Sequence, residues 1–174
     1  MILDRDNIRY CPKCGSGDLV RPVTQKIVCR ACDFVLYFNT ATAVAGLITN
    51  EQGQLMVVVR GYEPKKGTLD LPGGFVNPGE NAEDAMQREI REELGLDVTG
   101  VNYFCSQANE YLYRGFLYDT VDIVFLCQVN TLQQARAADD VAEIRWLAPT
   151  EINLDDFGFI SLQKAIRKYL ATLK

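Results

Sequence analysis

Histidine is absent from the 174-residue chain. Its absence excludes a serine–histidine–aspartate triad, a catalytic zinc ion held by histidine, and a histidine side chain that moves protons near neutral pH. Acid–base chemistry in this protein must therefore rest on carboxylates, water and bound metal ions. Carboxylates are plentiful, since 23 Asp and Glu residues stand against 18 Lys and Arg residues.

Long apolar runs are missing as well. No stretch approaches the roughly 20 consecutive apolar residues that span a bilayer. The opening residues also lack the apolar segment and the small-residue cleavage site of a secretory signal. We therefore expect a cytoplasmic protein with no membrane partner.

The chain also lacks an excess of positive charge. Its net charge is −5, and such a surface has no general positive field with which to attract nucleic acid. Nucleic acid is therefore disfavoured as a partner. A small phosphorylated ligand remains possible if bound divalent cations reverse the sign of the local potential, which points to Mg²⁺ or Mn²⁺.

Four of the six cysteines form two Cys-x-x-Cys pairs with the overall spacing C-x2-C-x14-C-x2-C: Cys11, Cys14, Cys29 and Cys32. Two tight turns with this spacing can supply four thiolates to one tetrahedral zinc ion. Because four cysteines leave no open coordination position, we expect this zinc to be structural. The alternative is four unrelated reduced cysteines. Cys105 and Cys127 lie in apolar stretches and are expected to behave as small buried hydrophobic residues.

The zinc-binding segment, residues 1–38, is expected to form a small ribbon that has too few apolar residues for a core of its own. Residues 39–174 are expected to form one domain. In it, runs 43–49 and 55–60 predict a β-hairpin, and apolar spacing predicts a helix over 82–94, with Asn81 as its N-cap and Gly95 as its end.

Further strands are predicted over 98–108, 121–129 and 143–147, with a tyrosine-rich connection between the first two, so that the sheet is expected to be mixed. A C-terminal amphipathic helix is predicted over 158–172. Its residues expected to face inward are Ile160, Leu162, Ala165, Ile166, Tyr169 and Leu170.

The predicted helix over 82–94 carries three acidic residues on one face. Glu89 lies three residues before Glu92 and four before Glu93, so the three carboxylates can reach common cations. Oxygen ligands at this density suit Mg²⁺ or Mn²⁺ better than zinc. Arg88 and Glu80 can pair and orient these carboxylates. The alternative is an ordinary solvated glutamate-rich helix face, which is common.

The surrounding residues favour the metal-binding interpretation. They match the signature G-x5-E-x7-R-E-U-x-E-E-x-G-U, where U is a bulky apolar residue, without a gap. The matching residues are Gly74, Glu80, Arg88, Glu89, Ile90, Glu92, Glu93, Gly95 and Leu96. On this motif the chain resembles Nudix hydrolases from about residue 40 onward, and its ribbon is similar to that of NADH pyrophosphatases.

The resemblance implies an α/β fold, specifically a Nudix α/β/α sandwich around a mixed sheet, preceded by a small zinc ribbon. It also implies cleavage of the pyrophosphate in a nucleoside diphosphate linked to another group, such as ADP-ribose, NADH or NAD. Glu89, Glu92 and Glu93 would hold the Mg²⁺ or Mn²⁺ ions, oriented by Arg88 and Glu80, with Gly74 and Asp140 as further metal candidates.

The proton acceptor for the attacking water is left open by the resemblance. Glu89 is the first choice, and Asp140 or its neighbour Asp139 is the second, because some family members use an acidic residue outside the motif. These aspartates could equally just solvate a loop.

The substrate-binding candidates are Arg60, Tyr111, Tyr113 and Arg114, in which aromatic rings could stack on a base and cations could contact phosphate. Packing within strands is the alternative for the tyrosines. The stretch Ser106–Tyr113 lacks the prolines and tryptophan of the Ser-Gln-Pro-Trp-Pro-Phe-Pro motif of NADH pyrophosphatases, and Leu69 stands where many relatives have tryptophan.

Two function classes therefore remain. The first is a pyrophosphohydrolase acting on a small nucleotide and releasing a nucleoside monophosphate. The second is a nucleotide-sensing or nucleic-acid-binding module that uses the same fold without turnover. A homodimer is compatible with the resemblance, although no pattern in the sequence requires one.

Overall fold

A computed structural model describes residues 3–173, and the chain divides into two compact units. The N-terminal unit comprises Met1–Thr40 and Glu110–Asp119. The second unit comprises Ala41–Asn109 and Thr120–Lys174. The structure thus groups ten residues from the middle of the chain with the cysteine-rich segment. The division of the chain into domains 1–38 and 39–174 stays a prediction.

The N-terminal unit contains a three-stranded antiparallel sheet of β1 (Leu19–Val23), β2 (Lys26–Cys29) and β3 (Val35–Tyr37). A single 3-10 turn, Arg5–Asn7, precedes the sheet and is closed by a capping box on Asp4. Among the described residues of this unit, the buried hydrophobic side chains are Cys11, Ile27 and Cys29. So small an apolar interior agrees with the expectation that something other than a hydrophobic core holds the segment together.

The second unit contains two sheets. The first is mixed and has the order β4 (Ala41–Leu47), β8 (Phe116–Val129), β7 (Val98–Tyr113), with β4 parallel to β8. The second is antiparallel and has the order β6 (Leu69–Asp70), β5 (Leu55–Arg60), β9 (Val141–Leu147). The prediction of a mixed sheet is confirmed.

Two helices complete the unit, α1 (Ala82–Leu94) and α2 (Ile160–Thr172). The bounds predicted for α1 are confirmed, and Gly95 ends the helix in the left-handed conformation, at φ 68°. Asn81 occupies the N-cap position, but its side chain makes no capping hydrogen bond there. The apolar face of α1 packs into the main core, which includes Met86, Ile90, Leu94, Val44 and Phe125.

The prediction that segments 43–49 and 55–60 pair with each other as a β-hairpin is wrong. Its two segments are strands, but β4 and β5 belong to different sheets. They meet only at their base, where Thr49 bridges Leu55 and the Met56 N–H donates to the Ile48 carbonyl at 2.8 Å. The reason is that β4 forms a seven-residue parallel ladder with β8 instead.

The tyrosine-rich connection is also corrected. Residues 109–120 continue β7 and β8 on either side of a two-residue turn, Arg114–Gly115, and both turn residues have positive φ, 48° and 84°. Turns of this kind match the right-handed twist of the strands they join. In α2, Ile160 was expected to be buried but is 63% exposed, because it is the first residue of the helix and precedes the packed stripe. No helix in the described range 3–173 combines the length and apolarity needed to cross a membrane.

Candidate functional site

The carboxylate face of α1 is positioned by burial of the adjacent apolar face. Ala85, Met86, Ile90 and Leu94 are fully buried, which fixes the rotation of the helix. Glu93 is then only 6% exposed, whereas Glu92 remains solvent-accessible. The acidic residues thus span the boundary between the interior and the solvent.

A glycine loop approaches these carboxylates closely. The Gly73 N–H donates to Glu93 Oε2 at 2.9 Å, and a Cβ atom on Gly74 would overlap the Glu89 carboxylate. Gly73 has φ 149°, and a Cβ atom there would clash with the Val44 carbonyl. The loop is fixed to β4, because the Val44 N–H donates to the Gly74 carbonyl at 2.8 Å. Side chains at 73 and 74 would therefore displace the loop from the carboxylates.

Arg88 joins three acidic residues. Its guanidinium holds both Glu80 oxygens, at 2.8 and 2.9 Å, and its Nη1 also contacts Glu89 at 2.7 Å and Glu92 at 3.0 Å. Its Nη2 reaches the carbonyl of Phe75 at 3.0 Å. The predicted Arg88–Glu80 pair is therefore present. Hydrogen bonds from Arg88 and from the Asn77 N–H lower the pKa of Glu80 to about 2.

Glu89 and Glu93 have the opposite electrostatics. Burial raises the pKa of Glu89 above its usual range, against the pull of Arg88, and the charges of Glu92 and Asp139 add to the rise. Burial likewise raises the pKa of Glu93 to about 8, assisted by the charges of Glu89, Asp70 and Asp140 and opposed by the Gly73 N–H. Negative charge is therefore disfavoured here unless a cation accompanies it.

The charges of Asp139 and Asp140 contribute to the raised pKa values of Glu89 and Glu93, respectively, on α1. The loop that carries them is fixed by the Ala138 N–H, which donates to the Glu93 carbonyl at 2.9 Å, and by the Asp140 carbonyl, which accepts from the Gly61 N–H at 2.7 Å. Asp139 has φ 50°, in the region that favours glycine. The loop that carries both aspartates is thus anchored to α1 and to Gly61, and the role of the aspartates stays a prediction.

Arg60 is engaged by protein partners. Its Nη1 pairs with Asp70 at 2.6 Å, its Nε donates to the Pro64 carbonyl at 2.8 Å, and its guanidinium lies 5.1 Å from the Phe159 ring centre. Asp70 in turn accepts from the Leu71 N–H at 2.8 Å, at the start of the glycine loop. Substrate binding by Arg60 stays a prediction. Asp70 was missed by the sequence analysis, and its position directly before Leu71-Pro-Gly-Gly is the only local signal.

Tyr111, Tyr113 and Arg114 lie in the N-terminal unit, at the end of the β7–β8 hairpin. The two tyrosine ring centres are 6.2 Å apart, and the Arg114 guanidinium lies 5.3 Å from the Tyr113 ring centre. Tyr113 is 39% exposed. The arrangement is compatible both with stacking on a base and with packing of rings along a hairpin, so their binding role stays a prediction.

The four paired cysteines form one cluster, with all four Sγ atoms within 4.8 Å of one another. The Cys11–Cys32 and Cys14–Cys29 Sγ separations are 3.8 and 3.6 Å, close to the edge of about 3.8 Å expected for a tetrahedron of thiolates around zinc, and far beyond a disulfide bond. Each Cys-x-x-Cys turn is followed by a residue with positive φ, Gly15 or Asp33. The cluster therefore fits a zinc site. Cys105 and Cys127 are buried, as expected.

Comparison with known proteins places the fold and the motif in one family. Residues 39–169 match the model of the NUDIX domain, and the chain belongs to the Nudix family. A solved NUDIX hydrolase from Nitrosomonas europaea superposes with a TM-score of 0.72 at 19% identity, covering 94% of this chain and 91% of that one. A MutT NUDIX hydrolase from Burkholderia pseudomallei gives 0.61 at 23% identity, covering 78% and 99%. These similarities confirm the predicted fold class.

Curated relatives include the NAD-capped RNA hydrolases NudC of two Pseudomonas strains. The protein of Pseudomonas fluorescens (strain Pf0-1) is 26% identical over 165 residues, which are 93% of this chain and 54% of the relative. That of Pseudomonas putida (strain W619) is 26% identical over 170 residues, 95% and 55% respectively. The chain thus spans about half the length of the curated relatives it matches.

The Arg60–Asp70 pair generates a stability prediction. Replacing Arg60 by Met leaves Asp70 as an unpaired buried carboxylate, and we expect a loss of about 3–5 kcal/mol in the free energy of unfolding. Asp70→Asn in the same chain removes the charge and should recover most of that loss. Urea denaturation followed by fluorescence of Trp146, the only tryptophan, measures both. Equal destabilisation of the single and double variants would contradict the electrostatic explanation.

Glu93 generates a pH prediction. Its pKa rises from 4.5 to about 8 on folding, so the folded protein binds this proton more tightly than the unfolded chain does. Ionisation of the buried Glu93 therefore destabilises the folded protein, and this destabilisation is absent below about pH 4.5 and complete above about pH 8. Without added divalent cations, wild type should therefore lose on the order of 3 kcal/mol between pH 5 and 9 relative to Glu93→Gln. Glu83→Gln, an exposed position on the same helix, is the control and should follow wild type.

Proposed function

We propose that this protein hydrolyses the pyrophosphate bond of a nucleoside diphosphate linked to another group and releases a nucleoside monophosphate. The observation that carries the proposal is a glycine loop whose backbone lies against the Glu89 and Glu93 carboxylates of α1. Glu92 is linked to Glu89 through Arg88. An oxygen-rich, partly buried site of this kind suits a hard divalent cation next to a phosphate. Membership of a family of hydrolases supports the same conclusion.

Mg²⁺ or Mn²⁺ would be held by Glu89, Glu92 and Glu93, with Asp140 and the Gly74 backbone as further candidate ligands. When bound, such ions neutralise the pyrophosphate and lower the pKa of a water molecule so that it can attack phosphorus. The residues fit these ions, because burial, with a further contribution from neighbouring carboxylates, raises the pKa values of Glu89 and Glu93, and a bound cation would stabilise their charged forms. The ion pair between Arg88 and Glu80 would hold these carboxylates in place.

The protein must also accept a proton from the attacking water. Glu89 is our first choice, because burial raises its pKa and thus its basicity relative to an exposed glutamate. Asp139 and Asp140, on their anchored loop, are the second choice. Replacement of Glu89 would remove both a metal ligand and a base, so kinetic data on that residue alone do not separate the two roles.

The substrate class extends beyond free dinucleotides. ADP-ribose, NADH and NAD are our first candidates, and Arg60, Tyr111, Tyr113 and Arg114 are the residues proposed to contact them. The matched relatives are named for NAD-capped RNA, which is a nucleoside diphosphate linked to a nucleotide polymer. Capped RNA therefore belongs among the substrates to be tested. The net charge of −5, however, disfavours tight binding of the RNA body.

The cysteine cluster is proposed to hold a structural zinc ion. The N-terminal unit has few buried apolar side chains, so the free energy of zinc binding would substitute for a hydrophobic core. Four thiolates leave no coordination position for water or substrate, and no catalytic step is assigned to this metal. Cytoplasmic location, in which reduced thiols would be maintained, stays a prediction.

The proposed function predicts metal-dependent turnover that requires Glu92. With Mg²⁺ or Mn²⁺, wild type should cleave at least one member of a panel of ADP-ribose, NADH, NAD, sugar nucleotides, nucleoside triphosphates and an NAD-capped oligoribonucleotide. Glu92→Gln should reduce kcat/KM by at least roughly 100-fold, since it removes a metal ligand without changing shape. Glu83→Gln should stay within about twofold of wild type. Binding of a nucleotide without any cleavage would instead support a sensor or nucleic-acid-binding module.

The cysteine cluster generates a prediction about zinc content. Purified protein should contain one zinc per chain by elemental analysis, whereas Cys29→Ser should contain much less, because three thiolates hold zinc more weakly than four. Cys105→Ala, outside the cluster, should keep the full zinc content. Zinc-free wild type that keeps the amide-exchange protection of β1–β3 would contradict a structural role for the metal.

A further inference from the structure

Asp70 is a buried carboxylate to which the proposed function assigns no role. It is 7% exposed and stands directly before the glycine loop. Its Oδ1 accepts from the Leu71 N–H at 2.8 Å, and its Oδ2 pairs with Arg60 Nη1 at 2.6 Å. Burial raises the pKa of Asp70, whereas Arg60 and the Leu71 N–H favour its charged form. Burying a charged group is unfavourable, and an apolar side chain at this position would avoid that cost.

Asp70 and Glu93 hold the same short stretch of backbone, residues 71–73. The Leu71 N–H donates to Asp70, and the Gly73 N–H donates to Glu93 Oε2 at 2.9 Å. The residue between them is a proline, which has no N–H. Both backbone donors of this stretch are therefore bound to carboxylates. A displacement of Asp70 would thus be transmitted to Glu93 through three residues of backbone.

Asp70 also acts on Glu93 through its charge. The charge of Asp70 is one of those that raise the pKa of Glu93, together with the charges of Glu89 and Asp140. It therefore adds to the negative potential that a divalent cation would meet at the carboxylate face. Partners of this kind, which support metal ligands without touching the metal, typically change metal affinity by roughly 10–100-fold.

Arg60 fixes the position of Asp70 in turn. Its Nε donates to the Pro64 carbonyl at 2.8 Å, and its guanidinium lies 5.1 Å from the Phe159 ring centre. The guanidinium is thus held by two contacts besides its ion pair with Asp70. One continuous chain of contacts therefore runs from Pro64 and Phe159 through the ion pair to the backbone of the glycine loop.

We propose that Asp70 is a positioning residue for the metal site: it ties the start of the glycine loop to Arg60 and thereby holds Glu93 in the geometry that binds a divalent cation. Asp70 acts from outside the set of metal ligands. The proposal rests on the proposed function, because it requires that the carboxylates of α1 bind Mg²⁺ or Mn²⁺.

Binding of Mn²⁺ alone to the full-length, zinc-loaded protein tests the proposal, with free Mn²⁺ measured by electron paramagnetic resonance. Asp70→Asn keeps the shape of the side chain and an oxygen for the Leu71 N–H, but it removes the charge. Its dissociation constant for Mn²⁺ should rise roughly 10–100-fold. The control, Asp18→Asn, removes the same charge from an exposed position and should bind Mn²⁺ within about twofold of wild type.

The double variant Arg60→Met with Asp70→Asn separates positioning from stability. It has no unpaired buried charge, so its free energy of unfolding should recover relative to Arg60→Met alone. Its Mn²⁺ affinity should stay at the level of Asp70→Asn, because the tie between Arg60 and the glycine loop is still missing. Urea denaturation followed by Trp146 fluorescence verifies that the variants are folded.

Three outcomes would contradict the proposal, and they can be told apart. Binding of Mn²⁺ by Asp70→Asn within about twofold of wild type would overturn the positioning role and leave the metal site intact. Recovery of wild-type affinity in the double variant would also overturn it, because the loss would then come from the unpaired charge of Arg60. Wild type that binds no Mn²⁺ would overturn the proposed metal site itself, and this proposal with it.

Discussion

Burial of carboxylates is the constraint on which the organisation of the second unit depends. A charged group is disfavoured away from water, and burial raises the pKa values of Glu89, Glu93 and Asp70 above their usual range. Each carboxylate accepts a hydrogen bond that stabilises its charged form: Glu89 from Arg88, Glu93 from the Gly73 N–H, and Asp70 from Arg60. The glycine loop and the two arginines are thus parts of one electrostatic arrangement.

The sequence predicts those contacts of this arrangement that depend on the spacing of residues close together in the chain. Residues three and four apart on one helix share a face, so helix geometry alone places Glu92 next to both Glu89 and Arg88. The pair of Arg88 with Glu80 was predicted from their opposite charges, and it also needs the loop before α1 to fold back onto the helix. The bounds of α1 follow in the same way from its apolar period and from Gly95. The cysteine cluster is also local, since two short turns supply its four thiolates.

Non-local pairing explains what was missed. The parallel ladder of β4 with β8 joins residues that are about 79 positions apart, so no short-range pattern shows that β4 leaves its predicted hairpin partner β5. Asp70 is a comparable case, because its partner Arg60 lies across a strand pair and only the fold brings them into contact. The same reasoning applies to the loop carrying Asp139 and Asp140, whose approach to α1 is fixed by tertiary hydrogen bonds.

The extended length of β7 links the missing proline motif to the question of substrate. Proline has no N–H and fixes φ near −65°, so the three prolines of the NADH pyrophosphatase motif would restrict the backbone of a stretch that is here part of a continuous sixteen-residue strand. Ala108, Glu110 and Leu112 stand in the proline positions of this stretch and keep their N–H groups. The stretch that corresponds to this motif therefore lacks its proline restraints here. The carboxylate motif of those enzymes is matched in this chain while the proline motif is not, and a panel of substrates, rather than NADH alone, is therefore the appropriate test.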